Sequence, residues 1–466
     1  MNDPTGFPMD DYPAGPATIR GNLTTSSIAL LIVAAAAPLG VVVGAAPVAF
    51  MLGNGPGLVG AFLLSGLVVL CFAVGYSALI RDLPGAGAFF NYLSVVFGRR
   101  VGTGSALVAL ASYLMLSTAL AVGGGYFVDL VLGSMNVHIG WKLLSLCFVL
   151  AVAILGRSNV DLAARFLVPL VLAEFGIILL LAISIVSHKG LAAFPYEGIA
   201  PAFVFTKGFG FAVVTGLSSF IGIESAALYV LEARDPGKAI PRATLGAVIV
   251  IGIAYLIAIW AIVGDIGARS IQALATKEQG ELVINVFRRN TGEAVADLTA
   301  VMLCSSIFAC YLALHNAATR YVFTLAEHGT LPRALAVVHP ERRSPSRASL
   351  LVTVCVALTV GLPILCNVDA YSVLYPVSTA LGTVGIITLQ AGVAIATVIH
   401  FRRKRDPRMW VSFVYPAIGT LGLLAAAWLI TDNYHILTNS HSVLVNGTPL
   451  VLVALFFYGI LTPGSK

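Results

Sequence analysis

Twelve long apolar runs, nearly free of charge, constrain this chain more than any other feature. They lie roughly at Ile28–Leu52, Leu58–Ile80, Val101–Leu132, Trp141–Leu155, Leu162–Val186 and Phe203–Leu231. The remainder are Leu245–Val263, Val295–Leu325, Leu350–Leu365, Tyr371–Ile399, Trp410–Ile430 and Val443–Leu461. A helix crosses a bilayer with about 20 apolar residues, whereas a barrel strand needs about 10 in alternation, so the runs read as membrane helices. Only 10% of residues are charged, against about 25% in soluble domains, which excludes a water-soluble globule. The expected fold is an all-α membrane protein with twelve transmembrane helices.

An even count puts both termini on one side, and Lys and Arg identify that side as cytoplasmic. With the N-terminus inside, only Lys142, Lys189, Lys207, Arg269, Lys277, Arg288 and Arg289 fall outside, 7 of the 27 basic residues. The net charge of +6 therefore marks the cytoplasmic face and indicates no nucleic acid partner. Residues 1–27 are polar and rich in Pro and Gly, without the basic start of a cleaved signal, and read as a cytoplasmic tail. The basic run at 401–409 is a topology anchor or a contact for anionic lipid. The six cysteines show no CxxC spacing and read as small buried hydrophobes without disulfide or metal roles. No cofactor is indicated.

The segments also repeat. The third and eighth are unusually long, the fourth and ninth short, and the first and sixth interrupted by small, polar or proline residues. Each pair is offset by five, and an odd repeat must enter the bilayer inverted, as in secondary transporters built from two five-helix halves. The division is 28–186, an extracellular loop 187–202, and 203–400, with 410–466 supplying two trailing helices. Chance variation in length within a simple bundle is the alternative.

The interruptions carry the function. "APLGVVVGAAPVAFMLGNGPG" (Ala37–Gly57) holds Gly40, Gly44 and Pro47, and "TGLSSFIGIESA" holds Gly216, Ser218, Ser219 and Gly222. An opened helix in lipid is tolerated only where it is buried or lines a cavity, so two such breaks point to one shared midplane site. Half-helix N-termini there attract an anionic group such as a carboxylate. Ser218, Ser219, Phe220 and Gly222 are the substrate-contact candidates, with Phe220 as an apolar lid. Close helix packing through small residues is the alternative.

Three motifs bear a family resemblance. "FIGIESAALYVLEARDPGKAIPRA" (Phe220–Ala243) resembles the sixth-helix signature of the amino acid–polyamine–organocation permeases. "HNAATRYVFTLAEHGTLPRAL" (His315–Leu335) is similar to the end of their eighth helix, and "RDLPGAGAFFNYLSVVFGR" (Arg81–Arg99) to their loop after helix 2. The resemblance spans nearly the whole chain. It implies the LeuT-type 5+5 inverted repeat plus two C-terminal helices, and transport of amino acids or related amines. It further implies that the backbone at Val43, Gly44, Ala45 and Ala46 holds the substrate carboxylate. Many members read G-S-G where this chain has Gly44-Ala45-Ala46, so a side-chain hydroxyl is missing. Some proton-coupled members carry a lysine in helix 5, where this chain offers Glu174.

Glu224 matches the family's helix-6 glutamate, and a carboxyl inside a membrane helix is a functional candidate by default. It serves coupling or gating, or braces the broken helix through hydrogen bonds. Glu174 is a proton site, an ion ligand or a satisfied polar group. Ser305 and Ser306 sit on a helix that supplies hydroxyl ligands in sodium-coupled relatives of the fold, or bond to neighbouring helices. Tyr113 and His315 are weaker candidates.

The expected function is secondary-active, alternating-access transport of an amino acid or amine by an integral protein of the cytoplasmic membrane, monomeric or homodimeric. Proton-coupled symport leads; exchange and sodium symport are the alternatives. A membrane-embedded enzyme is a distant one, because no histidine pair or paired aspartate motif gathers catalytic groups.

Overall fold

The computed structural model describes residues 24–83, 88–157, 160–229, 233–338, 345–438 and 443–462, and its regular elements are helices. The first span is divided into α1 (Thr25–Ala35) and α2 (Ala46–Leu52), joined through a wide turn at Gly40–Ala45 where Ala46 N–H reaches back to Val41 O. There follow α3 (Leu58–Asp82), α4 (Ala88–Phe97), α5 (Arg99–Ser134), α6 (Trp141–Leu155) and α7 (Val160–Lys189). After the short α8 (Pro201–Val204), the sixth span consists of α9 (Phe209–Ser218) and a tight helical turn, Ile223–Tyr229. Next come α10 (Pro236–Ile266), α11 (Ile271–Glu278), α12 (Leu282–Thr291), α13 (Glu293–Glu327), α14 (Ser346–Leu365) and α15 (Tyr375–Arg403). The described chain closes with α16 (Tyr415–Asp432), α17 (Tyr434–Thr438), α18 (Val443–Asn446) and α19 (Leu450–Leu461).

Among the described residues, 10 helical spans are long and apolar enough to cross a membrane. The expected fourth and twelfth spans form shorter apolar helices, α6 with 15 residues and α19 with 12. Gly140 (φ +92°) fixes the start of α6, and Gly156 caps its end. The expected length pattern has its counterpart in α5 (36 residues) and α13 (35) against α6 (15) and α14 (20). α10 starts at Pro236, ahead of the expected Leu245, because a first-turn proline gives up no helical hydrogen bond.

α5 is the axis of the bundle and packs against α13, α15, α6, α19 and α4. Lipid offers helices no hydrophobic drive to associate, so close approach through small residues supplies the packing. A Cβ on Gly125 of α5 would stand 2.1 Å from Ser145 Oγ of α6, and one on Gly459 of α19 would stand 2.5 Å from Gly104 Cα. The sixth span is 83% buried, whereas the spans of α14 and α16 are 28% buried. The irregular backbone thus sits inside the bundle, where freed polar groups find protein partners.

Candidate functional site

The first helix breaks ahead of the expected place. α1 stops at Ala35, Ala37 takes φ +45°, and Pro38 follows. A proline ring crowds the residue before it out of the helical region, so Pro38 makes the break. Pro47 does not; it lies in the first turn of α2, where its missing N–H costs little. Val43, Gly44, Ala45 and Ala46 therefore belong to the wide turn and the start of α2 rather than to the break itself.

The groups freed at this break are satisfied by three other helices. Ala35 O accepts from Cys310 Sγ of α13 (3.0 Å) and Ala36 O from Tyr255 Oη of α10 (3.1 Å). Leu39 N–H, at the start of the second half, donates to Glu174 Oε2 of α7 at 3.2 Å. The same oxygen accepts the Ser306 hydroxyl of α13 at 2.8 Å. Glu174 is 1% exposed, and its carboxylate meets the positive end of a half-helix. One side chain therefore joins the first break to α7 and α13.

The second break is built the same way. α9 ends at Ser218, and Gly222 adopts φ +111°, a conformation that only glycine holds without strain. Two residues later Glu224, fully buried, folds back so that both its oxygens accept Gly222 N–H (3.1 and 3.0 Å). Tyr113 Oη of α5 donates to Oε1 at 2.7 Å and Gln390 Nε2 of α15 to Oε2 at 3.4 Å. Tyr76 Oη of α3 donates to the Glu224 carbonyl at 2.8 Å. Donors from α5, α15 and the break itself thus converge on one buried carboxyl group.

The two breaks touch. A Cβ on Gly222 would lie 2.9 Å from Ala35 Cβ. Above this junction, Gly44 is roofed by aromatic side chains: Tyr371 Oη donates to Gly44 O at 3.2 Å, and a Cβ on Gly44 would lie 3.3 Å from the Phe127 ring. Tyr126 stacks on Tyr371 at 4.6 Å between ring centroids, and the loop residue Gly280 presses on Tyr126.

Several expected side chains sit elsewhere. The Phe220 ring packs between α3 and α10, against Gly66, Gly252 and Tyr255. Bulk of that size fits where two facing glycines leave room. Ser218 and Ser219 both donate to Thr215 O of their own helix. Ser305 and Ser306 part company: Ser305 donates to Met302 O, while Ser306 reaches Glu174. His315 is buried, with Nε2 against Ser349 Oγ at 2.9 Å, away from both carboxylates. Sequence reasoning missed Gln390, an amide alone in an apolar run, and the cost of burying such a group was the available signal. Tyr76, Tyr255 and Cys310 gave no such signal, because their roles depend on which backbone carbonyl lies opposite.

A buried bundle with two abutting helix breaks, each closed by an intramembrane carboxylate, is the architecture of an integral membrane permease. The chain belongs to the amino acid permease family, whose sequence profile matches residues 23–456. It is 23% identical to the methylthioribose transporter of Bacillus subtilis (strain 168), over 80% of this chain and 79% of that one. It is 22% identical to the branched-chain amino acid permease BcaP of the same organism, with the same coverages. The serine/threonine exchanger SteT, also of Bacillus subtilis (strain 168), is 23% identical over 80% of this chain and 83% of its own. Among solved structures, a substrate-bound, outward-open Na+-coupled sialic acid symporter shares the fold with TM-score 0.54 and 13% identity, covering 87% of this chain and 89% of that one.

Proposed function

We propose that this permease carries an amino acid or related amine across the cytoplasmic membrane by alternating access, as a proton-coupled symporter with both termini inside. One observation carries the reading: each helix break is closed by its own buried carboxylate, and each carboxylate also holds a partner helix. Protonating Glu224 or Glu174 removes acceptors from donors on moving elements, which links proton occupancy to the arrangement of the breaks. Backbone groups at Val43–Ala46 and at Ser218, Ser219 and Gly222 are the proposed substrate contacts.

The pairing supports twelve helices in a 5+5 repeat. Glu174 ties the first helix to the fifth and eighth; Glu224 ties the sixth to the third and tenth. Shifting every index by five maps one set onto the other.

Glu224→Gln tests the proposal in reconstituted vesicles. Accumulation against a substrate gradient should be lost while the protein inserts and melts normally; accumulation at the wild-type level contradicts a coupling role. An exchanger is the second reading, favoured by the similarity to a serine/threonine exchanger. A sodium symporter would use Ser306 and Glu174 as oxygen ligands instead.

A further inference from the structure

We propose that the outer face carries a binding site for a phosphate-bearing anion, in a groove between the ends of α7 and α10 and the loop helices α11 and α12. The groove is open to solvent, has a volume of about 780 Å³ and is lined by Lys189, Arg269, Lys277 and Arg289, with Asp265 as the one carboxylate. The assignment to the outer face rests on the sidedness in the proposed function; the groove's chemistry does not.

The walls are fixed and the charge is left over. Lys189 Nζ donates to the carbonyls of Gly264 (2.9 Å) and Asp265 (2.6 Å), and Arg289 to Asp265 Oδ2 at 3.3 Å. These contacts anchor α7 and α12 to the end of α10 and use up the only acid in the groove. Arg269 and Lys277 form no ion pair among the described residues. Three neighbouring acids have partners of their own: Glu278 accepts from Asn285 Nδ2, and Glu293 and Asp297 both face Arg288 at 3.8 Å. A second groove of about 520 Å³ adjoins at Arg269 and adds Lys207.

This gathering runs against the distribution of charge in the rest of the chain. Basic residues are scarce outside, yet Lys189, Arg269, Lys277 and Arg289 collect in one groove. Like charges held together repel unless an anion neutralises them, and a phosphate group offers several oxygens to a guanidinium fork and an ammonium at once. Leu191, two residues beyond Lys189, is 90% exposed, and a lipid headgroup site needs such an apolar neighbour for the acyl chains. A free phosphate reaches the same cations from water. Either occupant bridges the α7–α10 wall to the loop that presses Gly280 onto Tyr126, and so holds that loop down over the aromatic roof.

The test uses the full-length protein and two probes: inorganic phosphate, read by thermal melting at constant ionic strength, and phosphatidylglycerol in nanodiscs, read by native mass spectrometry. Neutralising one cation should weaken binding about fivefold, so Arg269→Gln with Lys277→Gln should weaken it by an order of magnitude or more. Arg288→Gln, outside the groove, should leave it unchanged. If the double variant melts before binding is read, Lys277→Gln alone carries the comparison. Phosphate binding without lipid retention assigns a solute, and the converse a headgroup. Binding of neither probe, or equal binding by wild type and variants, overturns the site. Labelling of Lys277→Cys only from the cytoplasmic side overturns the outer-face placement. None of these readouts depends on transport, so failure of the symport reading stays separate.

Discussion

Gly222 and Ala35, residues of two different broken helices, meet so closely that an added Cβ on Gly222 would stand 2.9 Å from Ala35 Cβ. Gly222→Ala should therefore cost about 1–3 kcal/mol, from positive φ and from the collision together. Uptake should fall with it. Gly361→Ala, in α14 with open space around it, is the control and should leave melting temperature and uptake unchanged.

Tyr113→Phe removes the shortest bond to Glu224 and leaves the rest of its shell in place. Losing a hydrogen bond to a buried charged group costs about 1.5–3 kcal/mol. Coupled accumulation should drop roughly 10- to 100-fold, each 1.4 kcal/mol being a factor of ten. Gln390→Leu, which removes a longer bond, should have the smaller effect. Uptake initial rates under a fixed proton gradient measure both, and a larger loss in the Gln390 variant would contradict the ranking.

Ser306→Ala should impair transport and Ser305→Ala should not, because only Ser306 reaches Glu174. If sodium is the coupling ion, Ser306→Ala should raise the sodium concentration needed for half-maximal uptake. A defect confined to Ser306→Ala and indifferent to sodium supports the proton reading.

Phe220→Ala should lower the melting temperature without changing substrate affinity, since its ring fills space between α3 and α10. Large-to-small changes of buried phenylalanine cost about 3–5 kcal/mol in well-packed cores. A normal melt with weakened substrate binding would instead make Phe220 a lid over the substrate.

The length and charge of the apolar runs made the helical membrane fold legible, and glycine, proline and a lone glutamate marked the two interrupted segments. The exact break in the first was not legible, because "APLGVVVGAAP" contains two prolines and either can open a helix or start one. Pro38 does so by displacing Ala37, while Pro47 fits a helix start. Glu224 and Glu174 stood out as intramembrane charges, and Ser306 as a hydroxyl on the right helix. Their partners could not be read, since Tyr113, Gln390 and Leu39 reach them across 111, 166 and 135 residues of sequence. The seat of the Phe220 ring could not be read, because the facing glycines that receive it, Gly66 and Gly252, lie on helices whose adjacency no local pattern encodes.

Uptake of a labelled amino acid mixture into proteoliposomes, under a proton gradient, a sodium gradient or internal substrate, tests the central claim most directly. Wild type should accumulate substrate under the proton gradient alone, and Glu224→Gln should not. Uptake only into preloaded vesicles, or only with sodium, would contradict the assignment of Glu224 as the coupling carboxylate.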